Sequence, residues 1–191
     1  MTRAWERMIF RDTSAGYGLP TRIVHWLMAV AIIGLYVLGL WMVDLNYYSP
    51  YYRSAPDLHR SVGMLLLALL VVRFVWRLFN DKPSDHELSA FERFTATIVH
   101  WGFYPLLFAL MVSGYLMSTA DGRPIEVFNW FSVPALITDK GMEKTAGEIH
   151  ELLANITMAL VLLHAAASLK HHFIDRSRVL ARMWSGPSND Q

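Results

Sequence analysis

The chain has 191 residues, 54% of them hydrophobic and 13% aromatic against 17% charged, with a mean hydropathy of +0.29. That balance excludes a soluble domain of this size and makes the lipid bilayer its natural solvent, while the formal charge of +1 carries little information of its own. The lack of cysteine excludes a disulfide, an iron–sulfur cluster, a thiolate zinc site and covalent haem attachment through C-x-x-C-H.

A polar N-terminal tail leads into a first apolar span, Ile23 to Val43, which is too long for the apolar core of a secretion signal and reads as a retained helix. The loop Asp44 to Leu58 follows, rich in Tyr47, Tyr48, Tyr51 and Tyr52, as expected of a segment at a membrane surface. Ser61 to Phe79 and Ile98 to Met117 are the second and third spans. The loop Ser118 to Gly147 opens with turn chemistry at Ala120-Asp-Gly-Arg-Pro124, after which Ile125 to Val133 is expected as a short interfacial helix or a cap over the bundle. Ile149 to Leu169 is the fourth span. Each span approaches the roughly twenty residues a bilayer crossing requires, and each must be helical to satisfy its own backbone. The expected fold is all-α, an integral membrane four-helix bundle, and residues 1–191 form one domain without repeats or long linkers.

Lys and Arg give the orientation. Twelve of the seventeen, Arg3, Arg7, Arg11, Arg22, Arg73, Arg77, Lys82, Arg93, Lys170, Arg176, Arg178 and Arg182, fall on one side. Arg53, Arg60, Arg123, Lys140 and Lys144 fall on the other, so both termini are expected in the cytoplasm of a multi-pass protein of the bacterial inner membrane.

Histidines carry the chemistry. His150 and His164 are fourteen residues apart on the fourth span, which at helical rise and twist gives roughly 21 Å of axial separation within about 40° of one face. Read by depth, His25 and His164 share the cytoplasmic level, and His59 and His150 share the outer one. Two neutral imidazoles on opposite faces of a macrocycle make a closed, low-spin haem site suited to electron transfer, and two such sites would carry electrons across most of the membrane. A lone intramembrane histidine is more often a packing residue. Four at two matched depths favour ligation, since polar groups in lipid are costly and usually functional. Gly34, Gly39, Gly63, Ala154 and Ala165 to Ala167 leave room for a flat cofactor, although small residues also serve close helix packing.

Other residues stay open between two readings. His100, near the inner end of the third span, competes for the inner site but fits a hydrogen bond to a haem propionate or to backbone better. Lys170 and His171, with His172, are either a basic interfacial anchor or the lining of a quinone-head pocket. Arg73 and Arg77 either snorkel to the inner headgroups or pair with inner propionates; Arg60 has the same option outside. A histidine-based metal transporter would need polar residues at mid-membrane, and these spans offer few.

The motifs together resemble one family. Ile23-Val-His25-Trp26, Leu58-His59-Arg-Ser-Val-Gly63 followed by Arg73 and Arg77, His100 with Gly114, His150-Glu-Leu-Leu-Ala154, and Leu163-His164-Ala-Ala-Ala-Ser-Leu-Lys170-His171-His172-Phe173 are similar to the bacterial cytochrome b561 family. These are small di-haem membrane cytochromes related to the cytochrome b subunits of nickel–iron hydrogenases, and the resemblance spans Gly18 to Met183. It implies two haem b, ligated by His25 with His164 and by His59 with His150, and electron exchange with the quinone pool, ubiquinone first. It places Lys170 and His171 near the quinone end. Some relatives resemble superoxide oxidases, which pass an electron from periplasmic superoxide to ubiquinone, but the outer loops here differ from theirs. The loop Ser118 to Ile125 looks closest to members found beside a periplasmic isoprenoid-binding protein. A haem-bearing anchor subunit for a dehydrogenase or periplasmic redox partner is the alternative function, and no nucleic-acid partner is expected.

Overall fold

Helices in this protein start where capping chemistry allows, a turn or two ahead of the apolar runs. The computed structural model describes residues 10–186, and Arg3 and Arg7 of the orientation argument lie outside them. The elements in order are α1 (Leu19–Met42), α2 (Ser54–Leu78), α3 (Ala90–Thr119), β1 (Ile125–Val127), β2 (Phe131–Val133), α4 (Met142–Phe173) and α5 (Val179–Trp184). Four of them, α1 to α4, are long and apolar enough to cross a bilayer, so the protein is a mostly helical membrane protein.

Local chemistry explains the early starts. Ahead of α3, Ser89 and Glu92 form a reciprocal capping box: the Ser89 N–H donates to Glu92 Oε2 at 3.0 Å and the Glu92 N–H donates to Ser89 Oγ at 3.3 Å. Before α1, the buried Asp12 carboxylate accepts from the Gly18 N–H at 2.8 Å and the Thr21 hydroxyl at 2.9 Å. Asp57 and Glu143 place acidic charge in the first turns of α2 and α4, where it complements the helix dipole. Lys170 does the same with opposite sign at the end of α4.

Burial differs from that of a soluble protein in two respects. Val30 is 69% exposed and Leu163 66%, as befits side chains whose solvent is hydrocarbon, while the hydroxyl residues Ser61, Ser113, Thr119 and Thr157 are buried.

Contacts concentrate in two units. Within residues 10–186, one takes 10–28, 71–102 and 159–186, and the other 29–70 and 103–158. Each draws on all four long helices.

One expectation is corrected. Ile125 to Val133 is not a helix but an antiparallel hairpin, with Ile125 opposite Val133 and Val127 opposite Phe131. Alternation decides it: Ile125 and Val127 are buried and Glu126 between them is exposed, a period of two that a helix cannot present. Phe128 and Asn129 take φ of 49° and 58° at the turn, closed by the Trp130 N–H donating to the Val127 carbonyl at 2.9 Å. Ser61 on α2 pins this hairpin, its Oγ donating to the Glu126 carbonyl at 3.1 Å and accepting from the Phe128 N–H at 3.2 Å.

Candidate functional site

In the unit of residues 29–70 and 103–158, α2 supplies His59 and α4 supplies His150, with ring centroids 6.2 Å apart and planes at 74°. His150 is held by the backbone of α3, its Nδ1 lying 2.9 Å from the Leu110 carbonyl oxygen. A carbonyl only accepts, so Nδ1 carries the proton and Nε2 keeps its lone pair free. Ser113 reinforces the seat: its Oγ donates to the same carbonyl at 2.7 Å and lies 3.3 Å from His150 Nδ1. The ring can approach α3 this closely because Gly114 has no side chain; a Cβ there would stand 2.8 Å from His150 Cε1. Gly39 on α1 lies against His59, whose Cε1 would stand 3.4 Å from an added Cβ, an ordinary van der Waals contact. His59 Nδ1 is buried with no hydrogen-bond partner among the described residues. Arg60 turns back to an ion pair with Asp57.

In the other unit, α1 supplies His25 and α4 supplies His164, with centroids 6.4 Å apart and planes at 75°. His100 on α3 joins them, 5.4 Å from the His164 ring. Arg73 on α2 lies against His25: its Nη2 is 3.3 Å from His25 Nδ1, and its Nη1 is buried without a hydrogen-bond partner among the described residues. Arg77, four residues on, instead donates to the carbonyls of Asn80 and Asp81 at 3.4 and 3.3 Å, closing the end of α2.

Lys170 and His171 belong to an ionic clasp. Lys170 Nζ lies 2.7 Å from Glu92 Oε1 and 2.9 Å from Asp175 Oδ2, and His171 Nδ1 lies 2.7 Å from the same Asp175 oxygen. The Lys170 ammonium and then the His171 ring hold the Asp175 carboxyl below its ordinary value. Glu92, His171 and Asp175 converge closely enough to ligate a metal ion, yet the ammonium already supplies a cation to both carboxylates. His172 is exposed and packs against Phe173.

The histidines and Arg73 were legible as candidates in the sequence. The seat of His150 was not, because its central atom is a backbone oxygen; the Ser113-Gly114 step in an apolar helix was the available signal. Docking of α5 beside His25 was also missed. There the Trp26 indole donates to the Met183 carbonyl at 3.2 Å and packs edge-on against Trp184.

Residues 16–186 match the family model described as prokaryotic cytochrome b561. Among curated relatives, cytochrome b561 homolog 2 of Escherichia coli (strain K12) is 44% identical over 185 residues, 96% of this chain and 98% of the relative. The probable superoxide oxidase CybB of Yersinia pestis is 26% identical over 163 residues, 84% of this chain and 90% of that protein. Cytochrome b561 homolog 1 of Escherichia coli (strain K12) is 24% identical over 128 residues, 66% and 73% of the two chains. Four apolar spans, imidazoles drawn together from separate helices, and a match over nearly the whole length lead to one assignment: the chain belongs to the prokaryotic cytochrome b561 family, bacterial membrane proteins that transfer electrons through b-type haem.

Proposed function

We propose that His25 with His164, and His59 with His150, each hold one haem b, and that the protein exchanges electrons between a periplasmic partner and the membrane quinone pool. The observation that carries this reading is the pair of ring separations, 6.4 and 6.2 Å. Two imidazoles bound on opposite sides of one metal, each nitrogen about 2 Å from it and each ring centre ~1.1 Å further back, put their centroids roughly 6.2 Å apart. The 5.4 Å between His100 and His164 is too short for that arrangement, which leaves His100 a neighbour of the site and not a ligand. A haem held by two histidines supplies a closed low-spin iron that exchanges single electrons.

The chain's own residues do the positioning. The Leu110 carbonyl fixes the tautomer and plane of His150, the usual role of an outer partner to a ligating imidazole. Gly114 keeps a side chain off the ring of His150. The excess of Lys and Arg in the tails and the second loop supports cytoplasmic termini and insertion in the inner membrane. Superoxide is the periplasmic partner favoured by the relative named as a probable superoxide oxidase, and ubiquinone is the quinone. The half-buried His171 on Asp175 then stands as a proton-carrying group at the quinone end, with Lys170 paired to both carboxylates beside it.

A pyridine haemochrome assay on the purified protein tests the ligands: two haems per chain are expected, and one in each of His150→Ala and His164→Ala. Retention of both haems in both variants would refute the assignment. Reduction of ubiquinone in liposomes on generation of superoxide tests the partners. Inactivity there, with a stoichiometric protein co-purifying, would make the chain a haem-bearing anchor subunit.

A further inference from the structure

We infer that the two sites differ in electron affinity and that Arg73 sets the difference, the His25/His164 site having the higher midpoint potential. The inference rests on the haem assignment proposed above. Reduction by one electron lowers the charge of a site by one, so a fixed cation beside it favours the reduced form and the negative end of a dipole favours the oxidised form. Burial in low dielectric enlarges both effects.

The two sites are surrounded differently. Arg73 is half-buried on α2, 3.3 Å from His25 Nδ1, and has no carboxylate within ion-pairing distance among the described residues. Its guanidinium is a planar, delocalised cation, and its buried Nη1 has spare donors. The other groups around His25 are the rings of Trp26, His164 and, beside His164, His100, none of which carries a fixed charge. At the second site the neighbouring cation, Arg60, is already paired with Asp57 and lies partly exposed. His150 donates to the Leu110 carbonyl, whose oxygen makes the imidazole a more basic ligand and favours the oxidised iron. A haem carboxylate taken up by Arg73 Nη1 leaves the sign unchanged, because at the other site Arg60 is already held by Asp57. An electron delivered to the protein therefore settles at the His25/His164 site.

The test is a spectroelectrochemical titration of the full-length protein in detergent, after haem content has been measured. Two components are expected in the wild type. In Arg73→Gln the upper one should fall by tenfold or more in its one-electron equilibrium, about 59 mV, with the lower one unmoved. Arg73→Lys, which keeps the charge, should restore most of the shift. Independently of how well Arg73→Gln folds, the haem retained by His150→Ala should titrate above the haem retained by His164→Ala. An unmoved upper component in Arg73→Gln, or the reverse order in the single-haem variants, overturns the inference while leaving the ligands in place. Wild-type protein with fewer than two haems overturns the ligand assignment and the inference with it.

Discussion

His150 meets α3 through a carbonyl, a hydroxyl and a missing side chain, and each makes a different demand on the sequence. Gly114 is the strictest, since a Cβ at 2.8 Å from the ring cannot be absorbed by a flexible side-chain end. Gly114→Ala is expected to destabilise the site by about 1–3 kcal/mol through overpacking and to reduce haem per chain from two toward one in the haemochrome assay. A variant with two haems and an unchanged spectrum would show that the ring has another way to seat itself. Asp175 is the second residue with a readable consequence. Lys170 first and His171 second depress its folded pKa, so its contribution is present above the unfolded value of about 3.9 and is lost as pH falls through the folded one. The difference in thermal stability between wild type and Asp175→Asn should accordingly be flat from about pH 5 to 8 and close only on further acidification; a difference that grew toward acid would contradict the clasp. Spacing alone made the four histidines visible. Leu110 stayed invisible because any residue type offers the same backbone oxygen.

Among the elements, the hairpin shows best what hydropathy reading omits. Ile125, Val127 and Val133 are as compatible with an interfacial helix as with a strand when taken as composition, and the alternating burial that decides the matter arises only from packing. Ser61 is the rivet between this hairpin and α2. Ser61→Ala leaves the Glu126 carbonyl and the Phe128 N–H without that partner, at an expected cost of about 1–3 kcal/mol. A lowered unfolding temperature in detergent would register it, with haem content measured alongside because Ser61 follows His59 by two residues. Helix starts teach the same lesson. The apolar run of α3 begins near Ile98, but the Ser89 and Glu92 box begins the helix at Ala90, and Ser89→Ala should cost about 1 kcal/mol. The Ser-x-x-Glu pattern stood in the sequence; an eye following hydropathy passes over it.

For the whole molecule, orientation decides which compartment each end of the bundle faces. Because the chain has no cysteine, single cysteines report it directly. Tyr48→Cys and Ile137→Cys should react with a membrane-impermeant maleimide in intact cells with opened outer membranes, and His86→Cys only after the inner membrane is breached. The opposite pattern would put both termini in the periplasm and exchange the donor and acceptor sides of the proposal. Composition and the run of apolar spans along the sequence determined that this protein lives in lipid as four helices, because a chain so apolar has no other solvent and a lone span no other way to satisfy its backbone. Histidine spacing alone determined which side chains were worth pairing. Only the tertiary structure decided that Arg73 faces His25, that Lys170 is occupied by two carboxylates, and that a backbone oxygen of α3 fixes His150. Apart from Lys170 with Asp175, those contacts join residues far apart in the chain, and helical periodicity says which face a residue lies on but not what stands opposite it.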